Sequence, residues 1–429
     1  ARFILVGWLC ALATILYLDR ICMAQALKPI QDELKLSETW MGSTLMAFTL
    51  AYGLFAVPIG RLGDRIGSRS VLVRCVLGWS AFTALTGAAT GLVTLIAVRF
   101  LFGATEAGAF PNTARVISRW FPLSERGRVQ GIMLFAAQLG GIIAPTGAAY
   151  LIEAMGWRWS FVVFAVIGVV WSAGFWFWFR DDPAEHPRVN AAELAIIRAN
   201  APPPPDDPGP IPWRAVCTNR GIIFLSIIMS LGSFYTYFFY SWFSKYLRAA
   251  RGLNNIESGK LFSLVLAGSA VGVLFGGWFA DRIPRRFSDP IRARRVLGVG
   301  GYLAAAAILF WAVRCDDPIT VAALCSASFC AMHITLPNWW SVIIPQSGRH
   351  VGALFGLANG LGIVGAMSSQ GFVGVFADWQ ESRGLTGREQ WDPIFDVYMV
   401  VLLLGAAAWW LYRFRPLEEE PKEPQNTTS

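Results

Sequence analysis

Mostly apolar stretches of about twenty residues recur along the chain, and shorter polar segments separate them. They run over 2–27, 40–60, 71–90, 93–117, 128–152, 159–179, 220–247, 259–280, 296–313, 318–342, 351–377 and 394–413. A helix of that length crosses a hydrocarbon core of ~30 Å. The runs are continuous and do not alternate at period two, so the pattern predicts an all-α membrane protein with twelve transmembrane helices and argues against a β-barrel. The first run is too long for a cleaved leader and lacks a basic flank followed by small residues, so it is expected to remain as a membrane helix.

A polar segment interrupts the pattern after the sixth run. It contains APPPPDDPGPIPW, the composition of a semi-rigid linker. The expected organisation is a six-helix bundle over 1–179, a linker over 180–219, a second six-helix bundle over 220–413 and a tail over 414–429. The halves also repeat: GRLGDRIGSR (Gly60 to Arg69) after the second run has a counterpart in GWFADRIPRR (Gly277 to Arg286) after the eighth. A second pair, RGRVQGIMLFAAQLGG and SGRHVGALFGLANGLG, aligns Arg128 with Arg349, Gly131 with Gly352, Gln138 with Asn359 and Gly141 with Gly362; Phe135 has no match, falling opposite Gly356. Duplication of this kind predicts two pseudo-symmetric bundles around a central site.

Composition supports the membrane reading. Of 429 residues, 55% are hydrophobic and only 15% charged. Placing both termini in the cytoplasm puts most Lys and Arg on that side of an inner-membrane, multi-pass protein. The net charge of +8 is then a topology signal, and no nucleic-acid partner is expected. The seven cysteines show no metal-ligand spacing, and neither metal nor cofactor is expected. No nucleophile, metal cluster or phosphate loop suggests an enzyme. The Asn426-Thr427-Thr428 sequon falls in the tail placed in the cytoplasm, where glycosylation is not expected.

Four charges lie deep inside the runs: Asp19 and Arg20 in the first, Arg99 and Glu106 in the fourth. Charges at that depth face a cavity, pair with each other and mark function. Residue counting puts Asp19, Arg20 and Arg99 in one layer, with Glu106 two turns from Arg99 on the same helix face. Asp19 can neutralise only one arginine. The expectation is an Asp19–Arg99 ion pair, with Arg20 left to meet an anion. Glu106 suits proton coupling, because an anion entering beside it and a proton binding to it favour each other. A purely structural quartet is the plainer alternative, but apolar residues could replace it at little cost in stability.

GRLGDRIGSR resembles the loop signature of the major facilitator superfamily. Asp64 is expected at a helix N-terminus, with Arg65 and Arg69 pairing across the loop; Gly60, Asp281 and Arg282 belong to the same gate motif and its second copy. YLDR, FGATEAGAFPNTARVISRWFPLSERGR, GWRWSF and FYSWFSKYL together resemble the anion:cation symporter branch, which includes sugar-acid, sialic-acid and vesicular glutamate carriers. The resemblance implies proton-coupled symport of a small organic anion, a carboxylate-binding arginine at Arg20 and proton-carrying carboxylates at Asp19 and Glu106. It also implies a substrate contact at Gln138, in AAQLGG.

Other polar and aromatic residues at membrane depth extend the candidate site: Tyr52, Tyr235, Trp242, Asn338, Trp339 and Asn359 for substrate, and His333 for packing or proton transfer. One free cation favours a monoanion. A monomer in the lipid bilayer is expected. Two rival readings remain open. GGIIAPTGAA resembles an exporter motif with Ala144 in place of its usual glycine, which suggests antiport, and a transporter-like anion sensor is the other.

Overall fold

The computed structural model of the chain describes residues 1–198, 211–283, 287, 289–347 and 350–417, and the described residues contain helices and no strand. The N-terminal half holds α1 (Arg2–Leu34), α2 (Glu38–Ile66), α3 (Ser68–Gly87), α4 (Leu92–Glu106), α5 (Ala109–Trp120) and α6 (Leu123–Trp178). Two short helices, α7 (Ala191–Arg198) and α8 (Trp213–Thr218), belong to the connecting segment. The C-terminal half holds α9 (Arg220–Ser241), α10 (Phe243–Arg251), α11 (Asn255–Arg282), α12 (Pro290–Arg314), α13 (Pro318–His333), α14 (Thr335–Gln346), α15 (Val351–Ser382), α16 (Arg388–Trp391) and α17 (Pro393–Leu411).

Among the described residues, eleven helical stretches are long and apolar enough to cross a membrane, with α4–α5, α13–α14 and α16–α17 each counted as one. The 56-residue α6 turns at Gly156, whose φ of 77° and ψ of 162° suit glycine alone, so it supplies two crossings and the total is twelve. Prolines account for two of the other interruptions. Pro111 and Pro337 have no N–H to offer the carbonyls of Ala107 and His333, and the helices break there, between α4 and α5 and between α13 and α14. Glu106 and His333 therefore end their half-helices. Asp289 and Asp317 cap α12 and α13 and are followed by prolines at the first helical position, a strong start signal.

The packing repeats between halves. α1 lies on α6, α2 on α4 and α3 on α6; correspondingly α9 lies on α15, α11 on α13 and α12 on α17. Two pseudo-equivalent seams join the bundles, α2 with α15 and α6 with α11. One apolar core fills the N-terminal bundle around Trp79, Trp120 and Phe175. A larger core continues from Ile21–Ile30 of α1 into the C-terminal bundle.

The seams are sealed toward one end. Gln25 Nε2 donates to Asn255 O and Oδ1, both at 2.8 Å, and Ser244 Oγ donates to Gln25 Oε1 at 2.6 Å. Asp378 of α15 caps α2 by accepting from the Glu38 and Thr39 amides at 2.9 and 2.8 Å. Lys245 pairs with Glu38 and donates to Gln31, with its own side chain 2% exposed. A Cβ on Gly42 would lie 2.7 Å from Gln370 O, so the helices meet here at glycine distance. Among the described residues, the hydrogen bonds between the halves all lie at or toward this end.

Candidate functional site

A cavity of about 310 Å³ lies between the two halves. α1, α2 and α4 supply one wall with Tyr17, Arg20, Phe48 and Arg99; α9, α12, α13, α14 and α15 supply the other. Arg20 is held at the wall by an ion pair from its Nε to Glu106 Oε1, with side-chain exposures of 19% and 1%. Its guanidinium lies 4.6 Å from the Tyr52 ring centre and 5.3 Å from that of Phe48. Cation–π contact of this kind holds a charge in place without neutralising it. The Arg20 Nη2 and Glu106 Oε2 atoms are buried and have no hydrogen-bond partner. Arg99 also lines the cavity, over Phe102 at 4.4 Å and Phe48 at 5.2 Å.

The expected Asp19–Arg99 ion pair is not formed. Both Asp19 oxygens are buried without a hydrogen-bond partner, and the pair made across the two helices is Arg20–Glu106. Side-chain direction accounts for the exchange. Side chains lean toward the N-terminus of their own helix, and α1 and α4 run in opposite directions. Asp19 and Arg99, level by residue count, lean apart. Arg20 and Glu106, two turns offset, lean together. Arg20 is therefore paired with Glu106 and is not the free cation expected from the sequence.

The other predicted substrate residues divide. Tyr52 touches Arg20, and Trp339 and His333 line the cavity. His333 Nδ1 bonds to Phe329 O at 2.9 Å, which leaves Nε2 on the other edge of the ring. Tyr235 and Trp242 are fully buried elsewhere: Tyr235 bonds Ser328 Oγ at 2.6 Å inside the C-terminal bundle, and Trp242 donates to Gln370 O at 3.2 Å in the sealed end. Asn338 is also buried and donates to Arg294 O at 2.8 Å. Gln138 is half-buried and Asn359 exposed, and neither lines the cavity. Sequence reasoning missed Ser233, Thr236, Tyr237 and Tyr240, which line it from α9. Their i, i+3, i+4, i+7 spacing is one helix face, a signal that was present in FYTYFFYSW and its flank.

The gate motif is built differently from the expectation. Asp64 lies in the last turn of α2, not at a helix N-terminus, and pairs with Arg115 of α5. The acid at the α3 N-terminus is Asp181, which accepts from the Arg69 amide at 3.1 Å. The Arg69 guanidinium lies 4.3 Å from the Trp176 ring centre and bonds its carbonyl, so it does not pair across the loop. Arg65 is exposed. The glycines have steric reasons: a Cβ on Gly60 would lie 3.0 Å from Pro111, and one on Gly63 would lie 1.8 Å from Asn112 Oδ1. In the second copy, the Arg282 guanidinium lies over Trp278 at 4.6 Å. The Asp281 side chain and Arg349 lie outside the described residues.

Similarity to known proteins agrees with this architecture. The family description Major Facilitator Superfamily matches residues 9–369. A probable sulfoacetate transporter of Cupriavidus necator is 31% identical, covering 86% of this chain and 85% of that one. A D-galactonate transporter of Escherichia coli is 30% identical over 85% and 86% of the two chains, and a probable galactarate/D-glucarate transporter of Bacillus subtilis is 30% identical over 87% and 85%. Among solved structures, an inward-facing, unoccupied bacterial homologue of the human lysosomal transporter Spinster superposes with a TM-score of 0.80 at 18% identity, covering 96% of each chain. The D-xylose-proton symporter gives 0.73 at 14% identity, over 97% of this chain and 98% of that one. The chain therefore belongs to the major facilitator superfamily and is a multi-pass membrane transporter, not an enzyme.

Proposed function

We propose that the protein is a proton-coupled symporter of a small carboxylate, working by alternating access with both termini in the cytoplasm. The observation that carries the reading is the Arg20–Glu106 ion pair at the wall of a cavity between two bundles. An incoming carboxylate offers Arg20 the same chemistry as Glu106 and competes for it. Displaced Glu106 is left as an ionised group at membrane depth without its cation, a costly state that a proton relieves. Substrate and proton therefore bind together, and the charges cancel before the site changes sides. Asp19, fully buried and in no ion pair, is a second proton carrier.

The relatives support an anionic substrate, since sulfoacetate, galactonate and galactarate all carry acid groups. The polar bridges gathered at the Gln25 end make that end the closed gate of an inward-facing state, opened when the two bundles rock. Reconstitution in proteoliposomes tests the coupling. An imposed inward proton gradient should drive uptake, and Glu106→Gln should keep exchange of pre-loaded substrate while losing gradient-driven accumulation. Uptake driven by an outward proton gradient would instead establish antiport, and binding without any transport would establish a sensor.

A further inference from the structure

The cavity's two walls differ in chemistry. Arg20 and Arg99 stand on the N-terminal wall. Opposite them, Ile228 and Met229 of α9, Tyr302 of α12, Met332 of α13, and Leu336 and Trp339 of α14 line the C-terminal side. These groups form one patch. A Cβ on Gly232 would lie 2.7 Å from Met332 Cε and 2.8 Å from the Tyr302 hydroxyl oxygen, so glycine there leaves the ring and the thioether side by side.

The polar atoms of Tyr302, Trp339 and Thr335 are already committed, and His333 on the same side keeps only its Nε2 open. The Tyr302 hydroxyl donates to Ile228 O at 3.2 Å, Trp339 Nε1 donates to Leu225 O at 2.9 Å, and Thr335 Oγ1 beside them donates to Met332 O at 2.7 Å. A polyhydroxylated body pressed against Ile228, Met229, Met332 and Leu336 loses its hydrogen bonds to water there and regains them only at its edges, from His333 Nε2 and the α9 hydroxyls. An apolar ring gains contact with aromatic faces and thioethers. The hydroxyl-bearing strip of α9, with Ser233, Thr236 and Tyr237, leaves room for a ring substituent to make a hydrogen bond.

We infer that the carried anion is a carboxylate with an apolar, ring-bearing body, an aryl or arylalkyl carboxylate, and not a polyhydroxy sugar acid. The inference rests on the reading that Arg20 binds a carboxylate. Its test compares phenylacetate with D-galactonate, two monoanions that present the same charge, by calorimetric titration of the full chain in lipid nanodiscs. Phenylacetate should bind about tenfold more tightly or better, the scale of a ring's contact with an apolar wall. Leu336→Asn should remove most of that preference by weakening phenylacetate alone, and Arg20→Ala should abolish binding of both acids. Galactonate binding as tightly as phenylacetate or more so, and lost in Arg20→Ala, overturns the apolar-body inference and leaves the carboxylate reading standing. Binding of neither acid, or binding unchanged in Arg20→Ala, overturns both.

Discussion

Glu38→Ala offers a quantitative test of the closed gate. Lys245 and Glu38 face each other across the two halves, with side chains 2% and 10% exposed. Removing one member of a buried pair strands the other and costs about 3–5 kcal/mol. Gln31, which also accepts from Lys245, keeps part of that interaction, so a penalty of about 2–3 kcal/mol on the closed state is expected. The state open at this end, where Lys245 can reach water, escapes the penalty. The equilibrium should move toward it by roughly 30- to 150-fold. Ser258 is 0% exposed and bonded to Gln25 at the same end, so a cysteine placed there reports opening. The assay is the rate at which Ser258→Cys, in a chain whose native cysteines are replaced, reacts with a membrane-impermeant maleimide. The rate should rise steeply in Glu38→Ala and return toward the parent value in the double variant Glu38→Met/Lys245→Met, where no charge is stranded. Parent-like labelling in the single variant, with the protein folded, would refute the gate assignment.

Two further predictions concern the gate motif. Gly63→Ala should lower the melting temperature measurably, at about 1–3 kcal/mol, because its Cβ meets the Asn112 carboxamide, whereas Asp64→Asn should barely change it, since Asp64 is 72% exposed and its pair with Arg115 is a surface one. Asp181→Ala should cost about 1 kcal/mol by uncapping α3, read as a lower midpoint in thermal denaturation, and Asp181→Asn should recover most of it.

The fold was legible in the sequence because bilayer thickness imposes a length on every span, and duplication left the DRI motif after the second and eighth. The site was legible only in part. Asp19, Arg20, Arg99 and Glu106 stood out because charge at membrane depth is rare, but which of them pair depends on side-chain lean between antiparallel helices, which residue depth alone omits. Tyr235 and Trp242 looked like cavity aromatics from their types; the helix phase that buries Tyr235 also turns Thr236, Tyr237 and Tyr240 to the cavity. Asp181 carries no local signal, because it reaches the α3 N-terminus from the segment that follows α6, far away in sequence. The helix breaks after Glu106 and His333 follow from Pro111 and Pro337, whose missing N–H groups leave the carbonyls of Ala107 and His333 without a helical donor.

Proton uptake on anion binding tests the central claim most directly. The purified carrier in weakly buffered solution receives phenylacetate or D-galactonate, and a pH indicator records protons taken up for each anion bound. Displacement of Glu106 from Arg20 predicts that the medium turns alkaline as the anion binds, and that Glu106→Gln binds the anion with that uptake reduced or lost. Anion binding without proton uptake, or uptake undiminished in Glu106→Gln, would contradict the account.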